Sequence, residues 1–197
     1  MTLERRLRDL VARFSREVLD NHVKHLECFC QHGVQVEGWL KGELLCFLDN
    51  EKAEGRISDF GREVPVGGSR KRVDFRIKIA TTSGALEEAW VELKHWLIGY
   101  QAGSQYNASF YFGDPSSVGI RQDVKKLRGL PPSKGKFVLI LATANPGAAE
   151  WAAGVDKFNR KFAPPRLKSL TDPAEFPNSY FLGLLRVSVE AGRRSDV

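Results

Sequence analysis

Apolar and polar positions at the start of the chain follow a helical period. Between residues 2 and 32, apolar side chains recur every three or four residues, with arginines and glutamates between them. That spacing places the apolar side chains on one face of a helix. We therefore predict a helix from Thr2 to His32, ended at Gly33, and a second helix from about Val36 to Asp49.

The period changes to two after residue 60, which is typical of half-buried strands. Alternating apolar side chains predict one strand over Val73–Ile79 and another over Ala89–Trp96. Arg62–Val66 is predicted to pair ahead of them. Gly67-Gly68 and Thr82–Gly84 supply the chemistry of the two turns.

The second half of the chain predicts further helices and strands. Residues 99–119 carry no clear period and are expected to form a long loop, with a short helical piece as the alternative. The remaining predictions are a helix over Arg121–Arg128, a strand over Phe137–Ala144, a helix capped by Asn145-Pro146 and ending near Arg160, a loop around Pro164-Pro165 and Pro173, and a strand over Tyr180–Val189. This order predicts an α/β fold, with an N-terminal helix (1–34) packed on a main domain (35–190) and a tail (191–197).

Composition and charge narrow the function classes. The chain has 197 residues and a net charge of +6, and a basic surface favours a polyanionic partner. No apolar stretch approaches the ~20 residues that a membrane span needs, so we expect no membrane partner. Three cysteines, Cys28, Cys30 and Cys46, make no disulfide framework and indicate a reducing, cytoplasmic location.

Two carboxylates and a lysine lie on neighbouring predicted strands. Glu92 and Lys94 are two residues apart, so their side chains share one face of a strand. A hairpin brings Asp74, on the preceding strand, beside Glu92. Adjacent carboxylates repel each other unless a cation joins them, and Mg²⁺ prefers oxygen ligands of this kind. A lysine beside that ion can orient a water molecule for phosphodiester hydrolysis.

Asp74 followed by Glu92-Leu93-Lys94 resembles the PD-(D/E)xK signature of the restriction-endonuclease-like nucleases. The resemblance covers about Val36 to Ala144, and it implies a core with a mixed central β-sheet flanked by helices, here carrying an N-terminal helical extension. Arg72-Val73 stands where the family signature has its proline. No Gln-x-x-x-Tyr follows the motif, so the RecB-like branch is not supported.

The resemblance also implies roles for individual residues. Asp74 and Glu92 would ligate Mg²⁺, with Mn²⁺ as a substitute, and Leu93 would add its backbone carbonyl. Lys94 would position the attacking water. The family has a helix carboxylate before the sheet; Glu43, at the edge of the second helix's apolar stripe, fits that role, and Glu37 is the competing candidate.

Basic and polar side chains near the motif are candidates for nucleic-acid contacts. Arg70, Lys71 and Arg72 lead directly into Asp74, and Gln122 and Lys125 lie on the helix that follows the motif. Cations at such positions bind phosphates by releasing counterions.

The expected function is therefore a Mg²⁺-dependent nuclease, a phosphodiester hydrolase. DNA is the expected substrate because the resemblance points to it. The alternative is a nucleic-acid-binding or assembly module of the same fold that does not cleave. Cutting both strands at one site often needs two active sites, so a homodimer or a protein partner is a further expectation.

Overall fold

The structure is a computed structural model that describes residues 1–66, 70–81, 84–99, 106–116, 118–131, 133–162 and 165–188. Within these residues, six strands form one mixed sheet in the order β1-β2-β3-β4-β6-β5. Their bounds are β1 Asp59–Pro65, β2 Arg72–Ala80, β3 Leu86–Leu97, β4 Gly135–Thr143, β5 Arg166–Ser169 and β6 Phe181–Ser188. The β3 and β4 strands pair in parallel, and the other neighbours are antiparallel.

In the described part of the chain, six α-helices cover the two faces of this sheet. Their bounds are α1 Leu3–Glu17, α2 Val23–Gln31, α3 Glu37–Ala53, α4 Ala108–Gly113, α5 Arg121–Arg128 and α6 Ala148–Phe162. The first three helices share one apolar core with the side chains of one sheet face. The last three share a second core with the opposite face. The result is a three-layer α/β arrangement, which confirms the predicted mixed sheet flanked by helices.

Strand β3 shows why the two cores separate. Val91 and Leu93 belong to the first core, whereas Trp90 and Trp96 belong to the second. Alternation along a strand sends successive side chains to opposite faces. Glu92 and Lys94 therefore lie on the same face as the two tryptophans, under helices α4 to α6.

The single helix predicted from Thr2 to His32 is wrong. The chain leaves the α-helix at Glu17, forms a 3-10 turn over Leu19–His22, and then begins α2. Asp20 accepts a hydrogen bond from the Tyr180 hydroxyl at 2.6 Å. The Asn21 side chain bonds the Glu17 carbonyl at 2.9 Å, and such local bonds compete with the helix.

The N-terminal segment packs on one face of the sheet. It shares the first core with α3 rather than forming a separate layer. A buried ion-pair network joins it to the rest: the Glu51 carboxylate, on α3, bonds Arg13 of α1 and Arg56. Burial acts to raise the pKa of Glu51. The bonds to Arg56 and Arg13 outweigh that effect, so the pKa lies below its ordinary value.

Most other elements confirm the sequence analysis, with small shifts of their ends. The helix over Arg121–Arg128 has the predicted bounds, and Asn145 bonds the Gly147 amide just before α6. Strand β5 was missed, because its four residues pair only with β6 at the sheet edge. The Gly67-Gly68 turn and the 191–197 tail lie outside the described residues. Over the part of the chain that the structure describes, no helix is both long and apolar enough to cross a membrane.

Candidate active site

The sheet opens between β2 and β3 at Asp74. Antiparallel pairing of these strands extends only as far as Phe75 opposite Val91. Beyond that pair, the Leu93 amide donates to Asp74 Oδ2 at 2.8 Å instead of to the β2 backbone. The Leu93 carbonyl lies on the same side of its strand as the amide. The opening therefore brings a carboxylate and a backbone carbonyl together.

Helix α3 supplies a lysine to this opening. Lys41 Nζ lies 2.9 Å from Asp74 Oδ1 and 3.1 Å from Glu37 Oε1, one turn earlier on the helix. Burial lowers the pKa of Lys41, but its bonds to Asp74 and Glu37 outweigh that effect and raise it above its ordinary value. Lys41 is therefore held in its charged form between two carboxylates.

Glu92 is the most deeply buried carboxylate of the opening, at 2% exposure. Its Oε2 accepts a hydrogen bond from Lys126 Nζ at 2.6 Å, and the same ammonium donates to the Arg72 carbonyl at 2.9 Å. Its Oε1 is buried and has no hydrogen-bond partner among the described residues. Buried polar atoms are normally satisfied, so this oxygen is a position where a ligand is expected.

A third carboxylate comes from α5. Asp123 is buried, and its Oδ2 lies 3.4 Å from Lys94 Nζ. Lys94 thus extends from β3 beneath α5, on the same strand face as Glu92. The opening as a whole contains three buried carboxylates (Asp74, Glu92 and Asp123) and three lysines (Lys41, Lys94 and Lys126), which we call the acid–lysine cluster.

Burial disfavours the ionised form of two carboxylates in this cluster. Burial raises the pKa of Glu92 to about 8; the Lys126 hydrogen bond opposes this shift, and the Asp74 and Asp123 carboxylates add to it. Burial also raises the pKa of Asp123, against the lowering effect of Lys94 and Lys126. An additional cation near Glu92 would therefore stabilise the ionised carboxylates.

The sequence left two glutamates of α3, Glu37 and Glu43, as candidates for the helix carboxylate, and the structure places them differently. Glu37 reaches the cluster through Lys41, whereas Glu43 makes no hydrogen bond or ion pair with the described residues. Two residues beyond Lys41 correspond to about 200° around a helix, so Glu43 points away from Asp74. The structure therefore places Glu37 at the cluster, and not Glu43, which the sequence favoured.

The predicted nucleic-acid contacts lie on two surfaces beside the cluster. Arg70, Lys71 and Arg72 are exposed at the start of β2. Gln122 and Lys125 are exposed on α5. The bond from Lys126 to the Arg72 carbonyl ties these two surfaces together.

Three members of the cluster escaped the sequence analysis. Lys41 comes from α3, while Asp123 and Lys126 come from α5. Asp123 could have been found from the sequence. It lies one helical turn before the apolar Leu127, and that spacing places its carboxylate on the buried face of α5. The two lysines left none, since only the packing of α3 and α5 on opposite sides of the sheet brings them to the opening.

A hard divalent cation bound here would take oxygen ligands from the cluster. Mg²⁺ takes oxygen ligands and keeps several waters, so it needs few protein groups. Asp74, Glu92 with its unbonded Oε1, and the Leu93 carbonyl would provide them. In the described part of the chain, no group of three or more His, Cys, Asp or Glu side chains is arranged to hold a metal. Binding would therefore rest on these two carboxylates and require Lys126 or Lys41 to give way.

No protein-family model, curated protein or solved structure matches the chain. The functional argument therefore rests on the acid–lysine cluster itself.

Proposed function

We propose that the chain is a metal-dependent nuclease that hydrolyses phosphodiester bonds, with DNA as the expected substrate. One observation carries the proposal. A deeply buried glutamate with an unbonded oxygen lies at a sheet opening beside Asp74, and Lys94 shares its strand face. Such strongly perturbed carboxylates concentrate at functional sites.

The order of elements supports the restriction-endonuclease-like fold that the sequence resembles. A helix, α3, precedes three antiparallel strands; a helix, α5, follows, and β4 then pairs in parallel with β3. Asp74 and the Glu92–Lys94 segment lie on the second and third of those strands, where the resemblance requires them.

Each side chain of the cluster has a role in this proposal. Asp74, Glu92 and the Leu93 carbonyl would hold Mg²⁺ or Mn²⁺. When bound, the ion supplies Lewis-acid stabilisation of phosphoryl charge and lowers the pKa of a coordinated water. Lys94 carries three donors and no acceptor, so it orients the attacking water oxygen by donating to it. Asp123 positions Lys94 from the α5 side.

The test is a cleavage assay with supercoiled plasmid, linear duplex, single-stranded DNA and RNA, in Mg²⁺, Mn²⁺ or EDTA. We expect metal-dependent cutting that falls by at least ~10²-fold in Glu92→Gln and in Lys94→Gln, the range expected when a group acting on the proton or water is lost. Glu87→Gln is the matched control, because Glu87 is exposed on the same strand. Wild-type cutting by Glu92→Gln would overturn the assignment.

A second candidate function is a nucleic-acid-binding module that does not cleave. It is favoured by the lysines at 2.9 Å from Asp74 and 2.6 Å from Glu92, which neutralise both carboxylates without any metal. Under this alternative neither protein cuts in Mg²⁺ or Mn²⁺, and Glu92→Gln binds nucleic acid with the same affinity as the wild type.

A further inference from the structure

A groove of about 420 Å³ lies between α5 and the C-terminal end of α6. It is outside the acid–lysine cluster, on the other side of α5. Its described lining is basic and apolar: Pro115, Arg121, Gln122, Lys125, Arg128, Phe158, Phe162 and Pro165.

Three cations line one face of α5 in this groove. Arg121, Lys125 and Arg128 are spaced i, i+4 and i+7, which stacks them along one side of the helix. Within the described ranges, none of the three forms an ion pair, and no carboxylate lines the groove. Like charges at these spacings repel by a few tenths of a kcal/mol per pair. An unpaired row of cations is therefore a site for a polyanion.

The apolar wall holds part of this row in place. The Arg121 guanidinium lies 4.1 Å from the centre of the Phe162 ring, and this cation–π contact holds the side chain against the groove wall. Gln122 donates to the Pro115 carbonyl at 3.4 Å. Arginine forks of this kind match the geometry of phosphate oxygens.

Lys126 shows that, among the described residues, the lysines of α5 form ion pairs on its inward face but not on the face that lines the groove. It lies next to Lys125 in sequence but points inward, where Glu92 and the Arg72 carbonyl satisfy it. The same helix thus contributes an inward face to the acid–lysine cluster and an outward face to the groove. The two sites are separated by about one helix diameter, ~10–12 Å with side chains.

We propose that this groove binds the sugar–phosphate backbone of the nucleic-acid strand, about three nucleotides from the phosphate at the acid–lysine cluster. The estimate divides the helix diameter by the ~3.4 Å rise per nucleotide along one strand. The inference rests on the proposed nuclease function for the position of the cleaved phosphate, and it names the substrate segment that the protein holds beyond it.

The experiment measures binding without cleavage. The full chain is titrated with a fluorescent 20-base-pair DNA duplex in EDTA, and the affinity is recorded over a range of salt concentrations. The triple variant R121Q/K125Q/R128Q is compared with R5Q/R16Q/K24Q. The control removes the same charge from exposed residues of α1 and α2, on the other side of the sheet.

Each phosphate contact contributes about 0.9 to the slope of log affinity against log salt for duplex DNA. The groove variant is expected to lower that slope by about 2 to 3, and the control is expected to leave it within about 0.5 of wild type. The double variant K125Q/R128Q keeps the Arg121–Phe162 contact and is expected to lower the slope by about 2. Thermal melts check that all variants are folded.

Equal slopes for the groove and control triples would overturn the inference, as would the absence of DNA binding by the wild type. A second outcome would also overturn the inference, in favour of an acidic protein partner. In it, poly-glutamate binds as tightly as DNA, and the groove variant weakens both affinities equally. A lowered slope in a protein that does not cut with Mg²⁺ or Mn²⁺ would support the groove and refute the nuclease. The two failures are therefore distinguishable.

Discussion

Replacing Lys126 by methionine tests whether Glu92 depends on a cation. Glu92 is 2% exposed, and Lys126 Nζ bonds its Oε2 at 2.6 Å. At about pH 9, above the Glu92 pKa of about 8, the carboxylate is ionised, and removing its partner leaves an uncompensated charge that costs about 3 kcal/mol, the lower end of the usual range because Lys126 is partly exposed. For a domain of this size, that loss lowers the melting temperature by ~6–12 °C.

The assay is thermal and urea unfolding in EDTA at about pH 9, where Glu92 is ionised in the wild type, with a double-mutant cycle. The variant K126M/E92Q is expected to recover most of the stability lost in K126M, because a neutral amide needs no counter-ion. The coupling between the two sites is then about 2 kcal/mol. Lys125→Met is the matched control. Lys125 is the next residue in sequence, and its side chain is exposed and forms no ion pair among the described residues, so the free energy of unfolding is expected to change by no more than about 0.5 kcal/mol.

The same variants connect stability to metal binding. If a divalent cation takes the place of the ammonium, Mn²⁺ at 100 times its dissociation constant stabilises K126M by about 2.7 kcal/mol. The wild type gains less, because its lysine must first be displaced, and K126M/E92Q gains little. The reasoning is refuted if K126M melts within about 1 °C of wild type, or if the double variant is no more stable than K126M.

Three further predictions follow from other parts of the structure. Glu37→Gln is expected to lower metal-dependent cutting about tenfold, the usual loss when a group that orients a ligand is removed, whereas Glu43→Gln keeps wild-type activity; the reverse order in the plasmid assay would contradict the placement of Glu37. Glu51→Gln is expected to cost about 2 kcal/mol in urea unfolding at pH 7, the value of charged hydrogen bonds. Because the pKa of Glu51 is lowered in the folded state, this contribution is fully present above the ordinary value of 4.5 and is lost as pH falls through the folded value, so wild type and variant converge in acid. Gly154→Ala would place a methyl group 2.3 Å from an aromatic ring atom and is expected to destabilise by about 1–3 kcal/mol, whereas Gly38→Ala, with open space around it, is expected to stabilise by about 0.5–1 kcal/mol in thermal melts.

The spacing of apolar and polar residues was sufficient to predict a helix or strand wherever the element depends mainly on its own residues. The alternation around Asp74 and Glu92 predicted two neighbouring strands, and the structure pairs them antiparallel. The spacing of Glu92 and Lys94 placed both on one face. Helix α5 was predicted with the observed bounds, because its apolar positions and flanking breakers are contained within a dozen residues.

Local pattern failed where distant residues compete with it. The break between α1 and α2 depends on Tyr180, about 160 residues away, which bonds Asp20. Helix propensity is a weak preference, and a tertiary hydrogen bond overrides it. Strand β5 has too few residues to show a period and exists because β6 offers an edge.

The amino-acid sequence by itself determined the period of most long elements, the buried face of each that follows from it, and the pairing of Asp74 with the Glu92–Lys94 segment. Only the tertiary structure decided which cations meet those carboxylates. Lys41 and Lys126 come from helices on opposite faces of the sheet, and they converge because the strands separate at Asp74. Which helix face meets that opening depends on how the helices pack, and that packing is set by the apolar cores rather than by the charged residues themselves.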